Sequence, residues 1–167
     1  MPARRRVLSV GATLAALRAS PALTLLAASP RAAAAAPRVE PFGADTWKRL
    51  QAELPRPGLV VFTATWCPTC PEVLRKLADV RRANRLRSPL VAVVMDSDDE
   101  PALLADAHFR VADRLFAFDG DEAALRRTVQ PQWRGVTPFV ALLPAARAPV
   151  YVTGMPSSAQ LEQWLRR

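Results

Sequence analysis

The sequence predicts an α/β domain in which helices flank a central mixed β-sheet, and three observations support this prediction. Two apolar runs without charge, at residues 58–64 and 90–95, are typical of buried central strands. The segments around them repeat apolar residues at helical spacing, which predicts a strand–helix–strand unit with parallel strands. Near the end of the chain, the runs 139–143 and 150–152 are separated by a short turn segment and predict an antiparallel hairpin.

The first half of the domain is predicted to contain two helices, one on each side of the strand at 58–64. Asp45 is a candidate N-cap for the first helix, whose apolar residues recur at helical spacing as far as Leu54. The second helix is predicted to start near Pro68 and to run to about Arg85. Its apolar stripe consists of Val73, Leu74, Leu77 and Val80.

The second half begins with four acidic residues directly after the strand at 90–95. These are Asp96, Asp98, Asp99 and Glu100. They lack the central glycine and the closing glutamate of a calcium loop, so an exposed loop and the negative first turn of a helix are favoured over a cation site. Short helices are predicted at 102–107 and 121–129, and Ser157 or Ser158 is expected to cap a last helix that turns Trp164 inward.

The only two cysteines, Cys67 and Cys70, lie between the strand at 58–64 and the helix that follows it. Strand, Cys-x-x-Cys and helix in this order are typical of a thiol–disulfide redox site. The attacking species in disulfide exchange is the thiolate, and the N–H groups of a helix N-terminus favour its charge. With Pro68 as the first helical residue, Cys67 is expected near the N-cap and Cys70 one turn later on the same side.

Two other interpretations of the cysteine pair stay open, although the spacing disfavours both. A structural disulfide usually gains most by closing a long loop, and this loop is minimal. A structural zinc site normally needs four ligands, and the chain has a single histidine, His108, in no ligand pattern.

Residues 62–70, with the sequence Phe-Thr-Ala-Thr-Trp-Cys-Pro-Thr-Cys, resemble the active-site segment of the thioredoxin superfamily. The segment Gly135-Val136-Thr137-Pro138-Phe139, followed by an apolar run, resembles the second signature of that superfamily, in the same order along the chain. The resemblance covers roughly residues 43 to 167. It is greatest to the exported branch that includes TlpA/ResA-like proteins and the thioredoxin-like proteins of cytochrome c maturation.

The resemblance implies a thioredoxin-like fold with a short insertion before the third core helix, including an added strand near residues 114–118. It also implies that Cys67 attacks or is attacked, that Cys70 is the resolving thiol, and that Pro138 is cis and faces the pair. The candidate substrate-binding residues are Trp66, Pro68, Thr137 and Pro138, with core packing as the alternative for Trp66. No cofactor or metal is expected, since the electrons come from a membrane or periplasmic redox partner protein, and the protein is expected to be a monomer.

The sequence departs from the family pattern at two positions. Val61 stands where thioredoxin has a buried acidic residue, which is the usual candidate for relaying the proton of the resolving thiol. Pro71 follows Cys70 and has no N–H, so the first turn of the helix is expected to lose a hydrogen bond and to be irregular.

Residues 1 to 36 are predicted to be a targeting segment, followed by a linker at 37–43 and the thioredoxin-like domain at 44–167. The segment has an arginine-rich start, two apolar stretches separated by Arg18, and an alanine run with small-residue cleavage patterns. Arg18 shortens the apolar stretch below the roughly 18–20 residues of a spanning helix, so a cleaved signal peptide, either ordinary or of the twin-arginine type, is favoured over a membrane anchor. Five of the 23 basic residues lie in this segment, so the net charge of +8 is no sign of nucleic-acid binding.

The function that these observations favour is that of an exported, periplasmic thiol–disulfide oxidoreductase that acts on thiols or disulfides of protein substrates, with the reducing direction favoured. One alternative is a copper-binding chaperone of the same fold, with His108 as a third ligand. Another is an interaction domain in which the Cys67–Cys70 disulfide is only structural.

Overall fold

The computed structural model of the chain describes residues 38–166, in which six strands and five α-helices alternate. The strands are β1 (Val39–Phe42), β2 (Gly58–Thr63), β3 (Leu90–Val94), β4 (Arg114–Phe118), β5 (Phe139–Leu143) and β6 (Val150–Thr153). The helices are α1 (Thr46–Glu53), α2 (Cys70–Ala83), α3 (Glu100–Ala105), α4 (Glu122–Val129) and α5 (Ser158–Leu165), and a short 3-10 turn spans Phe109–Val111.

The six strands form one mixed sheet in the order β1-β4-β3-β2-β5-β6. The pairs β1–β4, β4–β3 and β3–β2 are parallel, and the pairs β2–β5 and β5–β6 are antiparallel. The predicted strand–helix–strand unit and the predicted hairpin are therefore both confirmed. All residues of β2 are buried, so this strand lies at the centre of the sheet. The cysteine segment that follows β2 is therefore attached to a well-packed strand.

Helices cover both faces of the sheet, because successive residues of each strand point to opposite sides. On one face, Leu59 and Val61 pack with the apolar stripe of α2 and with Trp164 of α5. On the other face, Val60 and Phe62 pack with Trp47 and other residues of α1. Burying each such side chain contributes about 1.5–3 kcal/mol, which makes these two layers the main source of stability.

The strand order confirms the predicted thioredoxin-like fold with an insertion. If β4 is set aside, the remaining order is β1-β3-β2-β5-β6, with a parallel half and a terminal antiparallel hairpin. The insertion consists of α3, the 3-10 turn and β4, and it precedes α4 in the chain. It places β4 between β1 and β3, so the added strand widens the sheet on the side away from the hairpin.

The predicted linker at residues 37–43 needs a correction, because it contains β1. The proline and glycine in this segment suggested an irregular connection, but an edge strand tolerates proline since one side of it makes no ladder hydrogen bonds. Glu40 also accepts two hydrogen bonds from Arg114 of β4, at 2.9 and 2.8 Å, which fixes β1 on the sheet. Residues 39–42 are therefore part of the sheet rather than of a linker.

The first helix is confirmed, but its predicted cap is not. The side chain of Asp45 makes no capping hydrogen bond. Instead, Thr46 Oγ1 accepts a hydrogen bond from the N–H of Gly43 at 3.1 Å.

The predictions for residues 1–36, a signal peptide or an anchor, lie outside the described residues. Within 38–166 no helix is both long enough and apolar enough to cross a membrane.

Candidate functional site

Cys67 and Cys70 are joined by a disulfide just beyond the carboxyl end of β2, with their Cα atoms 5.5 Å apart. Cys67 lies in the turn between β2 and α2, where its N–H donates to the carbonyl of Ala64 at 3.1 Å. Cys70 is the first residue of α2 and is fully buried, whereas Cys67 keeps 5% of its surface exposed. Of the two sulfur-bearing residues, Cys67 is therefore the one that a partner can approach.

The helix after the motif starts later than the sequence predicted. We expected Pro68 as the first helical residue, but α2 begins at Cys70 with Thr69 as its N-cap. The first helical hydrogen bond runs from the N–H of Val73 to the carbonyl of Thr69, at 3.2 Å. A helix capped at Cys67 would need an N–H at Pro71 to reach the Cys67 carbonyl, and proline has none. Pro71 is instead the second residue of α2, where a missing N–H costs no helical hydrogen bond, so the loss predicted for the first turn does not occur. Cys67 lies in the preceding turn rather than at the N-cap.

The second signature forms a braced loop that ends in a cis peptide bond between Thr137 and Pro138. Trp133 donates from Nε1 to the carbonyl of Val136 at 3.0 Å, and its ring stacks on Phe139 with centroids 4.3 Å apart. On the other side, the carbonyl of Pro138 accepts from the N–H of Gly154 at 2.8 Å. The loop is therefore held from both flanks, and Trp133 is a core residue that supports it.

The sheet register brings this loop to the same end of the sheet as the disulfide. Phe62 of β2 lies opposite Phe139 of β5 in the antiparallel pair. Continuing the register by one residue sets Thr63 opposite Pro138, and Cys67 follows Thr63 by a single tight turn. The fold thus brings together the predicted residues of both signatures, which are far apart in the sequence.

Apolar side chains are exposed on both sides of the disulfide. Trp66 is 67% exposed and Val136 is 56% exposed, and Pro68 is exposed as well. The core-packing alternative for Trp66 is therefore wrong. Val136 is a residue that the sequence analysis did not single out, because an apolar residue beside a proline gives no sign of whether it faces solvent.

Asp96 fastens the turn that carries the cysteines. Its carboxylate accepts from the N–H of Thr65 at 2.9 Å and from the hydroxyl of Thr65 at 2.6 Å. Asp96 lies two residues after β3, the parallel neighbour of β2, so the two strands end side by side and this contact can form. The sequence predicts an exposed loop at Asp96, and no signal in it links Asp96 to Thr65.

His108 packs beside Phe109 with ring centroids 3.8 Å apart, and its Nδ1 lies 2.8 Å from a carboxylate oxygen of Asp106. It lines an open groove of about 490 Å³ that also includes Pro68 and Pro71. However, in the described part of the chain no three His, Cys, Asp or Glu side chains are grouped closely enough to hold one metal ion. The donor geometry therefore does not favour the copper-binding alternative.

Together, the strand order, the disulfide at the end of β2 and the cis proline define a thioredoxin-like domain with a Cys-x-x-Cys site. The sequence matches no protein-family model, and no curated protein is similar to it. Among solved structures, the chain is similar to a secreted disulfide oxidoreductase of Mycobacterium tuberculosis homologous to E. coli DsbE, with 18% identity, a TM-score of 0.46 and coverage of 64% of this chain and 78% of that one.

Two further solved structures have comparable similarity. One is a thio-disulfide isomerase from Thermus thermophilus, with 15% identity, a TM-score of 0.49 and coverage of 69% of this chain and 80% of that one. The other is DsbF of Mycobacterium tuberculosis in mixed oxidised and reduced forms, with 18% identity, a TM-score of 0.47 and coverage of 68% and 81%.

Proposed function

We propose that this protein is an exported thiol–disulfide oxidoreductase that reduces disulfides in protein substrates. The observation that carries the proposal is the Cys67–Cys70 disulfide, which closes a minimal ring at the same end of the sheet as cis-Pro138 and in which Cys67 keeps 5% of its surface exposed while Cys70 is fully buried. So short a ring adds little constraint to the unfolded chain, which favours a redox role over a structural one.

In the proposed reaction, the Cys67 thiolate attacks one sulfur of a substrate disulfide, whose S–S bond breaks as the mixed disulfide forms. The released substrate thiolate takes up a proton. Cys70 then loses its proton and attacks Cys67 Sγ, which breaks the mixed disulfide and releases the second substrate thiol. Two electrons and two protons pass from the cysteine pair to the substrate, and a redox partner protein with a dithiol restores the pair. No cofactor is required.

The reducing direction is supported by the environment of the sulfurs. A strong oxidant of this kind keeps its thiolate unusually stable, so that its reduced form is favoured. Here Pro71 supplies no N–H to the sulfurs, and α2 starts only at Cys70. In residues 38–166 the side-chain contact to the Cys67 sulfur is with the hydroxyl of Thr69, at a long 3.9 Å. Because few donors stabilise a thiolate on Cys67, the reduced pair is a better electron donor.

A protein substrate suits the surface around the site better than a small molecule does. In the proposal, Trp66, Pro68, Thr137 and Pro138 contact the substrate chain, with Cys67 and Cys70 as the reacting residues. Trp66 and Pro68 are exposed, and the groove beside Pro68 is open rather than enclosed. An extended polypeptide can span such a surface, whereas a small ligand is usually held in a concave pocket.

The proposed location is the periplasm, supported by the composition of residues 1–36, with cleavage of the signal favoured over anchoring. An oxidising compartment is also where a disulfide pair has substrates to act on. We further propose, from the sequence resemblance, that the protein belongs to the TlpA/ResA-like or cytochrome c maturation branch, and that it acts as a monomer with a membrane or periplasmic redox partner.

The test compares the wild-type chain with Cys67→Ser and Cys70→Ser in the reduction of a disulfide-bonded protein, with dithiothreitol as electron donor. Cys67→Ser should lose turnover. Cys70→Ser, reduced beforehand and then freed of dithiothreitol, should accumulate a mixed disulfide with the substrate that is visible on a non-reducing gel and is released when dithiothreitol is added back. Turnover retained by Cys67→Ser would contradict the mechanism, and a wild-type disulfide that resists mild reduction would favour the structural alternative.

A further inference from the structure

Thr63 is the last residue of β2, and its hydroxyl is buried without a hydrogen-bond partner among the described residues. The residue is fully buried, and its Oγ1 is one of only two hydroxyl oxygens in this state in residues 38–166. Buried polar groups are nearly always paired, so an unpaired one calls for an explanation such as a role in redox chemistry.

The face of the sheet on which Thr63 lies follows from the alternation along β2. Leu59 and Val61 pack against α2, and Thr63, two residues after Val61, points to the same side. Its cross-strand neighbours on that side are Val94 of β3 and, when the register of β2 and β5 is continued by one residue, Pro138. Neither of these two neighbours has a polar side chain, so neither can pair with the hydroxyl.

The first turn of α2 lies over this end of the sheet. Cys70 is fully buried and precedes Leu74, which packs with Val61, by four residues on the helix. Cys70 itself clusters with Ala64, the residue that follows Thr63 in the chain. Cys70 is therefore the buried cysteine next to the end of β2 at which the Thr63 hydroxyl lies, and in the oxidised state the hydroxyl makes no hydrogen bond to it.

We propose that Thr63 donates a hydrogen bond from its hydroxyl to the sulfur of Cys70 when the disulfide is reduced. A disulfide sulfur is a weak acceptor, whereas a thiolate is a charged one and forms a much stronger hydrogen bond. The hydroxyl is thus unpaired in the oxidised state and finds its partner in the reduced state. The inference rests on the proposed function, because it matters only if the pair cycles between these states.

In the step concerned, a dithiol reductant transfers two electrons and its two protons, the Cys67–Cys70 bond breaks, and the S–S bond of the reductant forms. When Cys70 is left as a thiolate, its proton passes to solvent and the Thr63 hydroxyl stabilises the charge. The hydrogen bond lowers the pKa of Cys70, and a lower pKa eases the attack of Cys70 on the mixed disulfide. In thioredoxin, a buried acidic residue at the position of Val61 is the usual candidate for taking up the proton of the resolving thiol. The Thr63 hydroxyl replaces only part of that role, because it stabilises the Cys70 thiolate but does not accept the proton.

The test uses Thr63→Val, which keeps the side-chain shape without the donor, and Thr63→Ser, which keeps the donor. The pKa of Cys70 is read from the ultraviolet absorbance of its thiolate in a Cys67→Ser background. We expect Thr63→Val to raise that pKa by about one unit, a tenfold loss of thiolate, and Thr63→Ser to stay near the parent. With both cysteines present, and at a pH above the pKa of Cys70, where the reduced state holds the thiolate, Thr63→Val should make the reduction potential more negative by about 30 mV, the tenfold equivalent for two electrons.

Thr46→Val is the matched control, since Thr46 is also a buried threonine but lies in α1 with its hydroxyl engaged by Gly43. It should leave both readouts unchanged. Equal values in Thr63→Val and Thr63→Ser, or no change in either, would overturn the proposal. If Thr63→Val does not fold, Thr63→Ala takes its place with the same expectation. Failure of wild-type turnover with a protein disulfide would instead contradict the proposed function, which the pKa measurement does not depend on.

Discussion

At the scale of single residues, Trp66 has an unusual environment for so large an apolar side chain. It is adjacent to Cys67 and 67% exposed, so it contributes little to the core. We predict that Trp66→Ala changes the free energy of unfolding by no more than about 0.5 kcal/mol, as at other surface positions. If Trp66 contacts the substrate chain, the same change should raise KM for a protein disulfide several-fold while leaving the reduction of a small aromatic disulfide nearly unchanged.

Val150→Ala is the matched control for Trp66, because Val150 is also an exposed apolar residue but lies at the far end of β6 from Pro138. It should alter neither KM nor stability by a comparable amount. A Trp66→Ala protein with unchanged KM for the protein substrate would remove Trp66 from the proposed docking surface.

Residue types and spacing were enough to predict the reacting part of the candidate site but not its supports. Cys67, Cys70 and Pro138 belong to short patterns that are visible in the chain. The contact between Thr65 and Asp96 depends on β2 and β3 ending side by side, and a linear sequence does not display that juxtaposition. The exposure of Val136 likewise depends on the hydrogen bond from Trp133 Nε1 to the Val136 carbonyl, which fixes the loop.

At the scale of elements, the acidic run after β3 makes hydrogen bonds that hold neighbouring segments of the fold. Asp96 holds the cysteine turn, and Asp99 caps α3 by accepting from the N–H of Ala102. Glu100 accepts a hydrogen bond from the N–H of Val39, which helps to align β1 with the insertion. The preference for a helix start over a cation site is consistent with these contacts, but the exposed-loop part of that prediction understated the role of Asp96.

The edge strand β1 should make part of its stability depend on pH. The hydrogen bonds from Arg114 hold the pKa of Glu40 below its ordinary value, more than its partial burial raises it. A carboxyl with a lowered folded pKa stabilises the protein above its unfolded pKa, roughly 4.3, and the benefit is lost as the pH falls through the lower folded value. Glu40→Gln should therefore cost about 0.5–1 kcal/mol of unfolding free energy at pH 7 and almost nothing at about pH 2–3.

Denaturant unfolding at both pH values checks this, with Glu162→Gln, an exposed residue of α5, as the control that should change little at either pH. A Glu40→Gln protein that is equally destabilised in acid would show that packing of the side chain, not its charge, holds β1.

At the scale of the whole molecule, the sequence predicted the core of the fold because buried strands are long apolar runs and helices repeat at a fixed spacing. Its main error was the edge of the sheet. β1 is four residues long, contains a proline and is only partly buried, so it lacks the apolar run that revealed β2 and β3. Its place depends on β4, which itself belongs to the insertion, and such a distant pairing leaves no local pattern.

The reduction potential is the property of the whole molecule that decides the direction of electron flow. We predict a value near or below that of thioredoxin, roughly −270 mV, measured by equilibration in thiol–disulfide buffers and alkylation of free thiols. Pro71→Ala should restore an N–H that can reach the Cys67 carbonyl and let α2 start earlier, bringing Cys67 to a helix N-terminus. That change should stabilise the thiolate and move the potential toward less negative values, by about 30 mV for each tenfold shift in the equilibrium.

Pro89→Ala is the matched control for Pro71→Ala, because Pro89 directly precedes β3 at the end of the sheet away from the cysteines and should leave the potential unchanged. A wild-type value near roughly −120 mV would instead make the protein an oxidant of newly exported chains. A cysteine pair that stays oxidised in the most reducing buffer tested would indicate that the disulfide is structural. A Pro71→Ala potential that moves in the negative direction would refute the argument that missing backbone donors make this pair reducing, because the added N–H could then not be acting on the thiolate.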